Sequence, residues 1–184
     1  MGLPVVAILH DKFMHNQLES YKKWYVVVVK KITYSKAQEL LQKMGYLFYM
    51  PFQKQLHYWS DRKKWIDVPI LRPYIFLFSN LHDRKLLHEN SDAFYFLRTA
   101  GRLATSSESE IEHLRMLCNY QHSVSIQPRP VRKGDRVEII SGPLSGMQGY
   151  TFQESGKQRF QIQIESLGQF ASIEIESSRL KVLS

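Results

Sequence analysis

Cysteine is nearly missing from this chain. Cys118 stands alone among 184 residues, which excludes an intrachain disulfide and a cysteine-built metal cage. A single thiol suits a reducing compartment, and the chain is expected in the cytosol. Long apolar runs are missing too. The stretch from Leu3 to Leu9 has no basic segment before it and soon meets His10, Asp11 and Lys12, which argues against a signal peptide. Nothing approaches the roughly 20 apolar residues of a membrane span, so no membrane partner is expected. The histidines, His10, His15, His57, His82, His88, His113 and His122, follow no metal-ligand spacing, and no metal is expected. No glycine-rich phosphate loop is present, and Cys118 falls on the apolar face of an expected helix. The chain is therefore expected to hold no cofactor, to have no catalytic residue and not to be an enzyme.

What is present is positive charge, unevenly spread. The net charge is +8; residues 1–130 hold 18 Lys and Arg against 11 Asp and Glu, while residues 131–184 hold 7 against 6. The first part is expected to face nucleic acid, and the nearly neutral second part to meet protein. A soluble basic surface with no dedicated anion site is the plainer alternative.

Residues 1–20 show no clear period and read as a tail. Trp24 to Val29 (WYVVVV) is a β-branched run flanked by lysines, which predicts a strand buried on both faces. Ser35 is the expected cap of a helix in which Ala37, Leu40, Leu41 and Met44 recur at helical spacing, with Gly45 just past its end. Tyr46 to Met50 predicts a second strand. Gln53 to Trp59 and Trp65 to Val68 predict a hairpin, with Ser60 to Lys64 as its charged turn. Ile70 to Phe78 predicts a long strand in which Pro73 demands an edge or bulge. Leu81 to Glu89 predicts a short helix, and Phe94 to Leu97 a strand. Thr105 with Glu108 and Ser107 with Glu110 both fit a capping box before a helix bearing Ile111, Leu114 and Cys118. From Asn119 to Pro130 no period is visible, and Pro128-Arg129-Pro130 predicts a stiff linker.

Beyond it, Lys133-Gly134-Asp135 signals a turn, Arg136 to Ile140 alternates, and Ser141-Gly142-Pro143 breaks the strand. Gly146 and Gly149 bracket a second bend. Phe160 to Ile164, Ile173 to Glu176 and Leu180 to Val182 alternate again, the pattern of a small all-β barrel. The boundaries read as a tail 1–20, an α+β domain of split βαβ type over 21–118, a linker 119–130 and an all-β domain 131–184.

The turn, strand, Gly-Pro-x-x-Gly-x-x-Gly, strand order resembles the KOW motif of SH3-like barrels. A WYVV strand, a helix ending at Gly45, YLFYMP, PILRPYIFLF and a KOW unit follow in the order of NusG-type transcription elongation factors, an NGN domain followed by KOW. The hairpin text PFQKQLHYWSDRKKW is similar to the UpxY-like antiterminators of capsular polysaccharide loci. Arg72-Pro73-Tyr74 stands where the family has Pro-Gly-Tyr, and Leu144-Ser145-Gly146-Met147 where many members carry a Phe.

The resemblance implies that the NGN domain binds the clamp helices of RNA polymerase through Val28, Leu71, Tyr74, Phe76 and Leu103, and the gate loop through Arg84 and Lys85. For Val28 and Phe76 a place in the core is an equal alternative. The resemblance also implies contact with the non-template DNA strand in the transcription bubble, for which Lys30, Lys31, Lys36 and Lys43 offer charge and Tyr34 a ring. The Arg62-Lys63-Lys64 turn is a further candidate contact to DNA or polymerase, a charged tip that only keeps an edge soluble being the plainer alternative. It further implies that a KOW domain on a flexible tether recruits a ribosomal protein or another factor, with Leu144 and Met147 in its connecting loop. The expected function is an antiterminating regulator, working as a monomer. A ribosome-associated or RNA-binding protein is the rival reading.

Overall fold

The β-branched run behaves as its composition dictates. In the computed structural model, which describes residues 22–59, 61–80, 92–120, 122–130 and 134–183, it forms strand β1 (Lys23–Val29), with six of its seven residues buried. The expected tail 1–20 and the expected helix 81–89, with Arg84 and Lys85, lie outside the described residues. The architecture is α+β. The chain divides into two units: one runs to Tyr49 and resumes over Pro73–Thr105, the other takes Met50–Arg72 and the chain from Ser106 onward.

In the first unit β1 is flanked on both sides by antiparallel neighbours, β5 (Tyr74–Ser79) and β6 (Phe94–Phe96), with β2 (Leu47–Tyr49) beyond β5. Val26, Val27, Ile75, Phe76 and Leu77 are wholly buried. Each such side chain contributes about 1.5–3 kcal/mol relative to exposure. Pro73 lies outside the strand expected from Ile70 to Phe78. It precedes β5, and its carbonyl accepts a 2.9 Å hydrogen bond from the Val29 N–H. Because proline has no N–H to give, acceptance is its one backbone contribution there.

Helix α1 (Tyr34–Lys43) buries Ala37 and Leu41. Its N-cap is Thr33 rather than the expected Ser35: the Thr33 hydroxyl accepts from the Lys36 N–H at 3.2 Å. At the other end Gly45 takes φ +72, Gly45 N–H donates to Gln42 C=O and Tyr46 N–H to Leu41 C=O. These two bonds make a Schellman stop, which favours glycine at the left-handed position. Two short strands that the sequence pattern did not reveal, β7 (Arg98–Thr99) and β8 (Arg102–Leu103), pair across Ala100-Gly101, both at positive φ. The unit ends where β9 (Thr105–Ser106) runs beside β1.

The second unit opens with the expected hairpin, β3 (Phe52–Tyr58) and β4 (Lys63–Pro69), a two-stranded sheet of its own. Helix α2 (Glu108–Cys118) follows, capped by Ser107, whose hydroxyl accepts from Glu110 N–H at 3.1 Å; Ile111, Leu114, Leu117 and Cys118 are buried. The Glu110 carboxylate accepts from both the N–H and the hydroxyl of Ser166, at 3.2 and 2.7 Å.

The rest is one antiparallel sheet in the order β10-β14-β13-β12-β11-β15. Its strands are β10 (Ser125–Gln127), β11 (Arg136–Ile139), β12 (Gln148–Glu154), β13 (Lys157–Ile164), β14 (Gln169–Glu174) and β15 (Leu180–Val182). Its buried Val137, Ile139, Phe152, Phe160, Ile162, Ile164 and Ile173 supply a core of the kind expected for a KOW unit. Gly149 sits where β12 passes closest to β13: a Cβ there would meet the Gln161 carbonyl and the Phe160 ring. That close approach explains a motif glycine whose φ is not positive.

The expected linker 119–130 differs from its reading. Ser125–Gln127 is a strand paired with β14, and Arg159 Nη2 reaches both Ser125 and Ser172 hydroxyls at 3.1 Å. Arg159 Nε also lies 3.3 Å from Glu154 Oε2, an ion pair without hydrogen-bond alignment. Just upstream, the buried Gln53 amide grips the chain from β3, donating to His122 C=O and accepting from Val124 N–H, each at 2.9 Å. A strand of three residues is too short to show a period, so side-chain pairing reveals it and alternation does not.

Candidate functional site

Register places the aromatic residues of the first unit. Val28 stands opposite Tyr74 on β5 and opposite Tyr95 on β6. Residues directly opposite share a sheet face, so the three side chains form one row across three strands. Tyr95 is 45% exposed, Tyr74 is half-buried and Val28 is 5% exposed. Two residues along β1, Val26 stands opposite Phe76, whose ring stacks on Tyr49 at 6.2 Å. Both Val26 and Phe76 are fully buried, so this face grades from core at Phe76 to surface at the two tyrosines.

The backbone at Tyr74 is fixed from two directions. The Tyr34 hydroxyl donates to Tyr74 C=O at 2.8 Å, while Val29 N–H holds Pro73. Leu103 is half-buried on β8. Leu71 belongs to the other unit and is 2% exposed. Of the five apolar residues implied for polymerase, Val28, Phe76 and Leu71 thus have core environments, and Tyr74 and Leu103 reach the surface.

The implied nucleic-acid residues gather around α1. Lys30 Nζ lies 4.8 Å from the Tyr95 ring centroid, bringing a cation onto the aromatic row. Lys31, at φ +50, pairs with Asp92 at 3.2 Å on open surface. Lys36 and Lys43 are seven residues apart and so share one stripe of the helix, about 10 Å along its axis. Glu39 lies between them, its carboxylate 2.8 Å from Lys43 Nζ. The hydrogen bond from Lys43, then its charge and that of Lys36, hold the Glu39 carboxyl below its ordinary range, and Lys43 is pushed up by the same bond. The pair is complete above the usual carboxylate range and is lost as pH falls through the lowered Glu39 value.

Since Glu39 neutralises the centre of this stripe, Glu39→Gln is expected to tighten single-stranded DNA binding at low salt. The slope of log affinity against log salt should steepen by about 0.7 for each additional phosphate neutralised. Fluorescence anisotropy over a salt series measures both.

In the second unit Leu144 and Met147 are 1% and 2% exposed and pack into the core of the sheet. Among the described residues from Ser125 onward, the large apolar residues at the surface are Ile140, Tyr150 and Val182. Among the described residues no group of three or more His, Cys, Asp or Glu is placed to hold a metal ion, and no helix is long and apolar enough to cross a membrane.

Two features escaped the sequence reading. Tyr95 joins the aromatic row through strand register, which a sequence does not display. The hairpin leaves Tyr58, Trp59 and Trp65 exposed, a signal present in the letters HYWSDRKKW, of which the sequence reading weighs the charges of the turn and not the rings. A family model described as transcription termination factor nusG matches residues 22–115. No curated protein matches the chain.

Proposed function

From the premise that this chain belongs to the NusG family, a family of transcription factors and not of enzymes, we propose that it binds RNA polymerase and suppresses pausing and termination. The observation that carries this reading is the row Tyr74–Val28–Tyr95, an apolar surface anchored by fixed backbone and edged by Lys30. Partly exposed aromatic rings on a rigid sheet suit the reception of helical side chains, because they supply contact area at small entropic cost. The clamp helices of polymerase are the proposed partner, and Leu103 adds to the surface. Val28 and Phe76 support it from beneath.

The α1 stripe of Lys36 and Lys43, together with Tyr34 at the helix start and Lys30 and Lys31 just before it, is the proposed contact for the non-template strand. Tyr34 serves there by its ring, its hydroxyl donating to the Tyr74 carbonyl. Mechanistically, a factor with greater affinity for the closed, elongating polymerase shifts the population toward that state and needs no bond chemistry. The C-terminal sheet recruits a second protein, through Ile140, Tyr150 and Val182 at its surface, while Leu144 and Met147 shape it from within. The hairpin sequence supports a specialised, UpxY-like role at polysaccharide loci.

Size-exclusion chromatography of the purified chain, mixed separately with core RNA polymerase and with ribosomes, tests this reading. Co-elution with polymerase is expected. Co-elution with ribosomes alone would transfer the protein to the RNA-binding class.

A further inference from the structure

The β3–β4 ribbon carries an arrangement that the polymerase reading does not use. Among the described residues its strands pair with each other and with no other strand, and every described residue from His57 to Trp65, at its tip, is exposed. From Phe52 to Pro69 it holds Lys54, Arg62, Lys63 and Lys64 against Asp61 and Asp67, and Asp67 stands opposite Lys54, so the excess of cations lies at the tip. Three large rings stand out among these cations: Tyr58 is 68% exposed, Trp65 62% and Trp59 46%.

Register sorts the rings onto the two faces. Tyr58 stands opposite Lys63, and Leu56 opposite Trp65, so Tyr58, Lys63 and Trp65 share one face. His57 stands opposite Lys64 on the other, where the His57 and Trp59 ring centroids are 5.8 Å apart. Cations already sit against the rings: Lys63 Nζ lies 5.0 Å from the Tyr58 centroid and the Arg62 guanidinium 6.0 Å from that of Trp59. Such contacts hold a ring upright and beside a positive charge. Tyr58 and Trp65 are diagonal neighbours, about 7–8 Å apart at the backbone, which leaves room for a base on each ring.

Solubility alone does not account for this surface. Lysines at a hairpin tip keep an edge soluble, but three exposed aromatic rings work against that purpose. Sequence-tolerant single-strand sites, by contrast, combine rings for bases with cations for phosphates. We infer that the β3–β4 ribbon is a second nucleic-acid site, binding single-stranded DNA or RNA by stacking bases on Tyr58, Trp59 and Trp65 while Arg62, Lys63 and Lys64 neutralise phosphates. An apolar protein surface would match the rings and leave the excess positive charge of Arg62, Lys63 and Lys64 unanswered, so charge decides for nucleic acid.

The test is a titration of the full chain with labelled oligo-dT and oligo-rU of 15 nucleotides, and with a duplex of the same length, in the Lys30→Glu/Lys43→Glu background. That background reverses charge at the end of α1 and at Lys30 just after β1, so binding through the ribbon is read apart from the α1 stripe and its neighbours. Binding of both single strands is expected, with quenching of tryptophan fluorescence, since Trp59 and Trp65 are exposed and Trp24 is buried. Adding Tyr58→Ala/Trp65→Ala is expected to weaken it about tenfold or more, with the far-ultraviolet spectrum unchanged. Lys63→Gln should reduce the salt slope by about 0.7. A preference for oligo-rU would identify RNA as the natural strand, and equal or better binding of oligo-dT would identify DNA. Undiminished affinity in the Tyr58→Ala/Trp65→Ala variant, or tighter binding of the duplex, would overturn the stacking site. Loss of polymerase binding in that variant, with oligonucleotide affinity unchanged, would assign the ribbon to a protein surface instead.

Discussion

Tyr74→Ala combined with Tyr95→Ala is expected to lower affinity for core RNA polymerase on the order of a hundredfold, with the fold intact. Aromatic anchors at the centre of an interface typically cost about 2 kcal/mol or more each when truncated, and the two effects need not add. Neither ring is core: Tyr95 is 45% exposed and Tyr74 half-buried. The hydrogen bond from Tyr34 falls on the Tyr74 carbonyl, which alanine keeps. Surface plasmon resonance on immobilised polymerase gives the affinity, and thermal unfolding confirms that the variant is folded. Wild-type affinity in a folded double variant would remove the aromatic row from the interface.

Phe76→Ala is expected to act differently, through stability. The ring is fully buried and stacked on Tyr49, so its removal should cost about 3–5 kcal/mol in lost burial and cavity. For a chain of this length that lowers Tm by roughly 10 °C, read by differential scanning calorimetry. Leu71→Ala, at 2% exposure, should cost about 2–5 kcal/mol for the same reason. Any loss of polymerase binding in these two variants is therefore expected to follow unfolding. Phe76→Leu supplies the control, keeping apolar volume and most of the stability. If Phe76→Leu abolished binding at unchanged Tm, Phe76 would be an interface residue after all.

Much of the fold was legible because strong local signals agreed with the tertiary structure. WYVVVV became the central strand, YSKAQELLQK a helix stopped at Gly45, and the glycine-punctuated text after Val131 an antiparallel sheet. The misplaced details have physical causes. Ser35 and Thr33 both belong to the capping types, and the helix begins one residue before Ser35, which leaves Thr33 as the extended residue whose hydroxyl accepts from Lys36 N–H. Pro73 ended a strand that apolar composition alone would have extended. β10 lies in a stretch of no period because a three-residue strand is specified by its neighbour, β14.

The candidate site was less legible for a related reason. In a strand buried on both faces, alternation no longer separates inside from outside, so Val28 and Phe76 read equally as core or surface. Burial settled where those two side chains stand, and register added Tyr95 beside them. Leu144 and Met147 show the same limit. The resemblance places them in a partner-binding loop, but Leu144, between Gly142 and Gly146, and Met147, just after, are both buried.

Transcription in vitro by purified polymerase across an intrinsic terminator tests the central claim most directly. The wild-type chain should raise the fraction of read-through transcripts, and the Tyr74→Ala/Tyr95→Ala variant should leave it at the level of polymerase alone. Equal read-through with and without the wild-type chain, at concentrations where it co-elutes with polymerase, would contradict the account.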